Sequence, residues 1–579
     1  MSPEQEQTLT TIALTARQYH QLSKHSFQAY ARGPETLDWD DQPDPFRRYD
    51  GAELIELPLS REHSQCSWAD LWRDSTATSD SGAISDSTAT SDSGASGGSL
   101  SLTSLEGIGL LLQWSLALSA WKQFGNARWS LRVNPSSGNL HPTESWILVA
   151  GIDGLLDGVY HYRADLHALE RRCGFTRPIT RTRPEQSPQP QVLLGFSSVL
   201  WREGWKYGER AYRYCQHDVG HALAAVSTAA RVMGCQPSLR PVAIADHALA
   251  TMLGLDRQQD YPRPQEYEHP DCLLALTASA DVEAFMAAAA TGQWSGQANV
   301  LDRRPMYQWP VLQQAAEACQ LGAEDLEHWL EAEAGTGFQA ARSEAPAQPQ
   351  RKLAADSASR LLLQRRSAQQ FNPSGSMALD DFLVMLDHLL VSEYGPWQVL
   401  PLTHGVELIL YVHQVEGLAA GLYALIRNPA NLQPLQQQLR SQFEWQRVEQ
   451  APSHLPLYRL MTAGARRTAA KLQCQQGIAG ESCFSISMLA DFSGLSQQPW
   501  RYRQLHWLAG AIGQQLYLEA EACGVRGTGI GCFFDDPVQD LLGLPAEGDW
   551  QVIYGFTVGE PLLDHRVTRL PPYQRQAQS

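Results

Sequence analysis

Apolar residues recur at helical spacing in two long stretches, Ala211 to Gly234 and Arg501 to Gly524. Each stops on glycine, the residue that most readily takes the left-handed turn beyond a helix end. One long helix is predicted in each. A shorter helical pattern occupies the later part of NPSGSMALDDFLVMLDHLL (372–390), and WILVAGI (146–152) reads as a strand. The best apolar run, Gly107 to Trp121, is too short and too interrupted to span a bilayer. Periodicity by itself therefore implies a mixed α and β protein with no membrane partner.

The two long patterns can be laid on one another, with Tyr212-Arg213 falling on Tyr502-Arg503, and each is followed by Leu-Gly-Leu, at 253–255 and 542–544. GVYHY (158–162) resembles GLYAL (421–425), and KHSFQAY (24–30) lies on RRSAQQF (365–371). The economical reading is two fused copies of one domain. DSTATSDSGA occurs at 74–83 and again at 86–95, followed by SGGS, a tract with nothing to bury. Ala, Gln, Pro, Ser and charges replace periodicity near 335–359. The expected organisation is a first domain over 1–334 with a disordered insertion at about 74–99, a linker over 335–359, and a second domain over 360–579.

A length of 579 residues calls for two or more domains, and 43% apolar residues with 17 Trp supply their cores. The net charge of −17 and the lack of a Lys/Arg block argue against a nucleic-acid partner. MSPEQEQTLTTIALTARQ lacks the basic-then-apolar layout of a secretory signal, so a cytoplasmic location is expected. Ten cysteines without a CxxC pair look like buried thiols rather than a disulfide framework or a zinc site. His217 and His221 share a helical face, but no HExxH arrangement or third ligand accompanies them, and no metal is expected.

Three segments carry candidate chemistry. Arg365-Arg366-Ser367 offers two guanidinium forks and a hydroxyl, which suit a phosphate monoester, although such a triplet is commonly a solvated patch. Asn134 to Pro142 (NPSSGNLHP) is a Pro- and Gly-rich turn with short polar donors, suited to the edge of a flat heteroaromatic ring or to nothing more than a turn. Arg526 to Gly531 (RGTGIG) follows the second long helix as a glycine-rich loop whose amides could face a ligand. It lacks the GxGxxG spacing of a dinucleotide fingerprint.

Together these segments resemble a known family. KHSFQAYARGPETLDW, RVNPSSGNLHPTESW and WREGWKYGERAYRYCQHDVGHA resemble the SagB-type, thiazole/oxazole-forming branch of the nitroreductase superfamily, while RRSAQQF, LYLEAEACGVRGTGIG and YGFTVGEPLLDHR resemble the general nitroreductase domain. The resemblance implies an α+β fold in which each copy is a mainly antiparallel sheet flanked by helices, with the long helices packed across a pseudo-two-fold interface. It also implies an FMN-dependent oxidoreductase with composite flavin sites between subunits, here between the two copies of an intramolecular pseudo-dimer.

Carried onto this chain, Arg365, Arg366 and Ser367 would hold phosphate, helped by Arg566 or Arg569. Gly529, Ile530 and Gly531 would lie beside flavin N5, and Pro135, Ser136, Ser137 and Asn139 would close the same site from the first copy. The mirror site is degraded. Its phosphate motif reads Lys24-His25-Ser26, its turn Pro401-Leu402-Thr403-His404-Gly405, and its glycine loop Gln236-Pro237-Ser238-Leu239-Arg240, so one FMN per chain is expected.

The resemblance further implicates Lys206 and Tyr207 in catalysis. Oxidation of an azoline removes a proton from carbon, and a lysine depressed by burial beside Arg210 or Arg213 could take it. An ion pair of Lys206 with Glu203 or Glu209 is the plain alternative. The expected substrate is a small molecule or peptide carrying an azoline-like ring. The rivals are NAD(P)H-dependent reduction of nitroaromatics or quinones, and a non-catalytic scaffold with vestigial flavin.

Overall fold

The computed structural model describes residues 14–72, 101–179, 189–235, 239–329 and 357–573. The insertion expected at 74–99 and all but the last three residues of the expected linker lie outside the described residues. Those last three open a new element, because a helix at Ala358–Gln364 starts there and delivers Arg365 directly after its end.

Two sheets dominate. The first is built on β1 (Thr143–Ala150), β2 (Gly158–Arg163), β3 (Ala168–Gly174), β4 (Gln191–Val199), β5 (Arg240–Val242) and β6 (Glu268–Ala275), in the spatial order β3-β2-β1-β4-β6-β5. The second is built on β7 (Val406–Val412), β8 (Gly421–Leu425), β9 (Leu457–Thr462), β10 (Phe484–Asp491), β11 (Arg526–Ile530) and β12 (Trp550–Gly559), in the order β9-β8-β7-β10-β12-β11. The two orders are the same, and every pairing along them is antiparallel. The inner strands β1, β4, β7 and β10 are buried along nearly their whole length, which is why they read as apolar runs rather than alternating patterns.

The long helices appear where the periodicity places them, α1 at Ala211–Val232 and α2 at Arg501–Ala522. Gly234 and Gly524, at φ of 75° and 72°, turn the chain out of them in the left-handed region that glycine adopts without strain. The helices pack on each other almost backbone to backbone. A methyl group on Gly220 would lie 2.1 Å from the Trp507 carbonyl oxygen, and one on Gly510 would lie 2.2 Å from the His217 carbonyl oxygen. In the alignment of the two helical patterns Gly220 falls on Gly510 and His217 on Trp507, so the contact is reciprocal.

Other contacts repeat with the halves exchanged. Tyr212 and Tyr502 stack on one another, 6.5 Å between centroids at 8°. Arg213 pairs with Asp535 at 2.7 Å, and Arg503 pairs with Asp246 at 2.9 Å, all four side chains being buried. Asp246 and Asp535 each begin a helix, and each helix ends on the left-handed glycine of its Leu-Gly-Leu, Gly254 or Gly543.

The chain ends are exchanged as well. The helix Ala16–Leu22 lies against the second sheet's half, with Arg17 on Asp549 at 2.6 Å and His20 edge-on to Phe492. The strand Thr568–Leu570 crosses to the first half and extends the hairpin Leu118–Phe124/Ala127–Arg132. Among the described residues, no helix is long and apolar enough to cross a membrane.

The crossing generates a prediction. Gly510→Ala should lower stability by about 1–3 kcal/mol, because overpacking against a backbone oxygen outweighs the roughly 1 kcal/mol that alanine adds in a helix interior. Gly464→Ala, whose added methyl meets nothing within 4 Å, should change it by less than about 0.5 kcal/mol. Urea unfolding of both variants checks the pair of outcomes.

Candidate functional site

Residues of both halves enclose a cavity of about 360 Å³, the size of a small-molecule or cofactor site. Its first wall is the turn at Pro135–Asn139, which joins the hairpin to β1. Gly138 and Asn139 take positive φ, 58° and 61°, and Asn139 is held there by donating to the Ser130 carbonyl at 2.9 Å. The Ser136 hydroxyl accepts from the His141 amide at 2.8 Å. The Ser137 amide and hydroxyl both donate to Asp218 of α1, at 3.1 Å each.

Lys206 and Tyr207 close the last turn of the helix Leu200–Tyr207 and press against this same turn. A methyl on Gly138 would lie 2.7 Å from the Tyr207 hydroxyl and 3.1 Å from the Lys206 amine. Tyr207 lines the cavity, and the amine of Lys206 sits over the Trp39 ring, 5.3 Å from its centroid. Burial lowers the Lys206 pKa, and Glu203, when ionised, opposes that shift. The expected cause is thereby corrected. Arg210 and Arg213 do not act on Lys206, because both guanidiniums are bound to Asp535. The expected alternative, an ion pair with Glu203 or Glu209, is also absent among the described residues, and neither Glu203 oxygen has a hydrogen-bond partner there. Burial holds the Glu203 carboxyl well above the usual carboxylate range, and Tyr207 well above the usual phenol range. Asp218 is pushed up to about 7 by burial, against the opposing hydrogen bonds from Ser136 and Ser137.

The second wall carries Arg365, Arg366 and Ser367. Arg365 is buried and donates through Nε to the Val133 carbonyl at 2.9 Å and through Nη2 to the Arg132 carbonyl, leaving Nη1 without a partner among the described residues. Arg366 donates to the Ser119 carbonyl at 3.1 Å. Ser367 and the Tyr517 hydroxyl share a hydrogen bond of 2.9 Å, and Tyr517 accepts from the Gly529 amide at 2.8 Å.

The segment expected as a glycine-rich loop is instead largely strand β11, paired along β12. Its glycines make room for aromatic rings. A methyl on Gly529 would lie 2.1 Å from the Tyr554 hydroxyl, and one on Gly531 would lie 2.2 Å from the Tyr214 ring. Gly529, Ile530 and Gly531 all line the cavity.

A second cavity of about 310 Å³ adjoins the first and shares Lys122, Arg366, Ser367 and Gln369 with it. Arg569 and Arg526 also line it. Burial, then Arg569 and Arg365, pull Arg366 down to about 9, and Lys122 is lowered by burial and then by Arg366. Cations that depress one another in this way are stabilised by an anion between them. Arg569 is brought in by the terminal strand, in register with Lys122. Arg566 is not. Its side chain is 76% exposed and paired with Asp564 at 2.8 Å, because it precedes the strand that turns the chain inward.

Sequence reasoning missed Tyr517, Tyr554, His221, Asp218 and Lys122, all of which line the cavity. Asp218 and His221 do carry a signal, a charge and an imidazole inside a helix that is buried on every side. His221 is hydrogen-bonded to Tyr554 at 3.0 Å and His217 stacks on the same ring at 4.2 Å. Lys122 and the two tyrosines have none, since only the fold brings them in.

On the opposite side of the helix crossing, the three donors of Lys24 meet Asp536, Gln539 and the Ala546 carbonyl. The His25 amide is bound by Asp535 at 2.9 Å. Pro401, Leu402 and Thr403 are buried, and Gln236, Pro237 and Ser238 lie outside the described residues.

No family model matches the sequence. A solved structure of a candidate nitroreductase from Anabaena variabilis superposes with a TM-score of 0.63 over 94% of this chain and 99% of its own, at 21% identity. The chain has a nitroreductase-like fold. In sequence it is 28% identical over 163 residues to the trifolitoxin-processing protein TfxB of Rhizobium leguminosarum bv. trifolii, a match spanning 26% of this chain and 43% of that relative's length.

The buried acid beneath the turn has a measurable consequence. An unfolded Asp218 titrates near 4, whereas the folded one titrates at about 7. Between those values the folded chain holds a proton that the unfolded chain has released, so its contribution to stability falls as pH rises through that window. Asp218→Asn should flatten the pH dependence of urea unfolding between about pH 4 and 7 by up to about 1.4 kcal/mol per pH unit. An unchanged slope would place the proton on another group.

Proposed function

We propose that the chain is an FMN-dependent oxidoreductase of the nitroreductase superfamily, of the SagB-type branch, in which two fused domain copies act as an intramolecular dimer around one flavin. The observation that carries this reading is the convergence of Pro135, Ser136, Ser137 and Asn139 from one half with Arg365, Arg366, Ser367, Gly529, Ile530 and Gly531 from the other on a single cavity. Their chemistry fits a phosphorylated heteroaromatic group. The Nη1 of Arg365, without a partner among the described residues, and the cluster of Arg366, Arg569 and Lys122 suit the phosphate. The turn and β11 present short polar groups and bare backbone to a flat ring. Lys24 being fully engaged by protein acceptors supports one flavin per chain rather than two.

Bound flavin would supply two-electron oxidation or reduction. The residues of the chain supply the rest. For an azoline-like ring the proton leaving carbon needs a base, and Lys206 suits that role because burial favours its neutral amine. Tyr207, held protonated, is suited to donate a hydrogen bond and to fix the turn through its contact with Gly138. Likeness to a protein named for trifolitoxin processing supports a substrate made in a biosynthetic modification rather than a freely diffusing quinone.

Flavin retention tests the cofactor assignment. Arg365→Ala should release flavin about ten- to a hundredfold more readily, the ~1.5–3 kcal/mol of a charge-assisted contact, and Arg569→Ala should act in the same direction. Arg566→Ala should leave retention unchanged. Dialysis followed by absorbance and mass analysis of the released cofactor gives the comparison. The assignment fails if the chain purifies colourless, and the single-site reading fails if released FMN approaches two per chain.

Lys206→Ala should keep its flavin and its reduction by dithionite while losing azoline oxidation by about 10²–10⁴-fold. Quinone reduction with a reduced nicotinamide, which can draw its proton from water, should persist. Retained azoline oxidation in this variant overturns the role of Lys206.

A further inference from the structure

Two cysteines meet beside the cavity, one of them in its lining. Cys532 follows Gly531 directly and lines the cavity, and Cys474 lies on the neighbouring segment, close enough for the two thiols to interact. The segments that carry them are pinned on both sides. The Phe534 amide donates to the Leu472 carbonyl at 2.8 Å, and the Gln476 side chain donates to both the Cys532 and Gln473 carbonyls at 3.1 Å. Cys474 and Gln475 are held at positive φ, 50° and 59°, an uncommon conformation for such residues that persists only where the surroundings impose it. Cys474 and Cys532 are both partly exposed, as are Cys66, Cys235 and Cys272, but of these five only Cys532 lines the cavity.

The surroundings favour thiol reactivity. Arg210 donates to the Gly531 carbonyl at 3.1 Å, next to Cys532. The Cys474 thiol, against burial and with help from the Arg210 charge, holds Cys532 below the usual thiol value, while Cys474 is raised by the same pairing.

We propose that Cys474 and Cys532 form a reversible dithiol/disulfide couple that exchanges two electrons with the flavin. This rests on the reading of the cavity as a flavin site. In the oxidative direction two S–H bonds break and one S–S bond forms. Two electrons and two protons leave the thiols, the flavin takes the electrons, and the protons pass to it and to solvent. In the reverse direction reduced flavin returns both electrons, the S–S bond breaks, and each sulfur gains a proton. The chain then stores four electrons, two on flavin and two on sulfur.

An anaerobic reductive titration of the purified full chain, first treated with oxidised dithiothreitol, reads this directly. The wild type should take up four electrons per flavin and reveal two additional thiols, whereas Cys474→Ser and Cys532→Ser should each take up two electrons per flavin. Peptide mass analysis of the oxidised wild type should show Cys474 joined to Cys532. Uptake of two electrons by a flavin-loaded wild type, or oxidised protein without that cross-linked peptide, overturns the couple. A colourless protein counts against the flavin reading alone. The cross-link is then the deciding observation, and its absence also removes the pair.

Discussion

Two helices of 22 residues touch through their backbones at Gly220 and Gly510, and the cavity between the two halves depends on that closeness. Larger residues at either point would push the helices apart. Asp218, His221 and Tyr214 on one helix would then no longer share a cavity with Tyr517 on the other. The buried pairs Arg213–Asp535 and Arg503–Asp246 reinforce the contact from either side, each tying one half's long helix to the start of a short helix in the other half. Ion pairs so deeply buried contribute little net stability over apolar residues of similar size, but removing one partner strands a charge, so they act chiefly to fix the arrangement.

The near-symmetry of the scaffold contrasts with the asymmetry of its contents. On one side of the crossing, Arg365 keeps a guanidinium nitrogen with no partner among the described residues, and a cluster of cations depress one another's pKa values. On the other, Lys24 and Asp535 have turned inward to protein partners. Two halves can share their packing contacts while differing in their pockets, because the packing depends on helix faces and a pocket on a few loop residues.

What the sequence discloses follows the same division. The long helices, their glycine stops and the apolar inner strands were legible, since each depends on local spacing and local backbone preference. The turn at Pro135–Asn139 and the triplet Arg365–Ser367 were legible as chemistry, yet only a family resemblance joined them, since 225 residues lie between Asn139 and Arg365. RGTGIG was misread as a loop because glycine disfavours strands, a preference overridden by the pairing of Arg526–Ile530 with β12 and by the rings packed above Gly527 and Gly529. Nothing local distinguishes Arg566 from Arg569. Their difference lies in the register of a three-residue strand with Leu118–Phe124.

The exchanged chain ends bear on how the molecule is made. The hairpin at 118–132 receives its third strand from residues 568–570, and the helix at Ala16–Leu22 rests on Phe492, Tyr502 and Asp549. A ribosome delivers these partners hundreds of residues apart. On a nascent chain that stops short of Tyr554 the cavity lacks part of its lining, and the early segments that should abut it must wait with apolar surface uncovered. Closure is therefore a late, long-range event, the kind of step that is slow and during which aggregation competes.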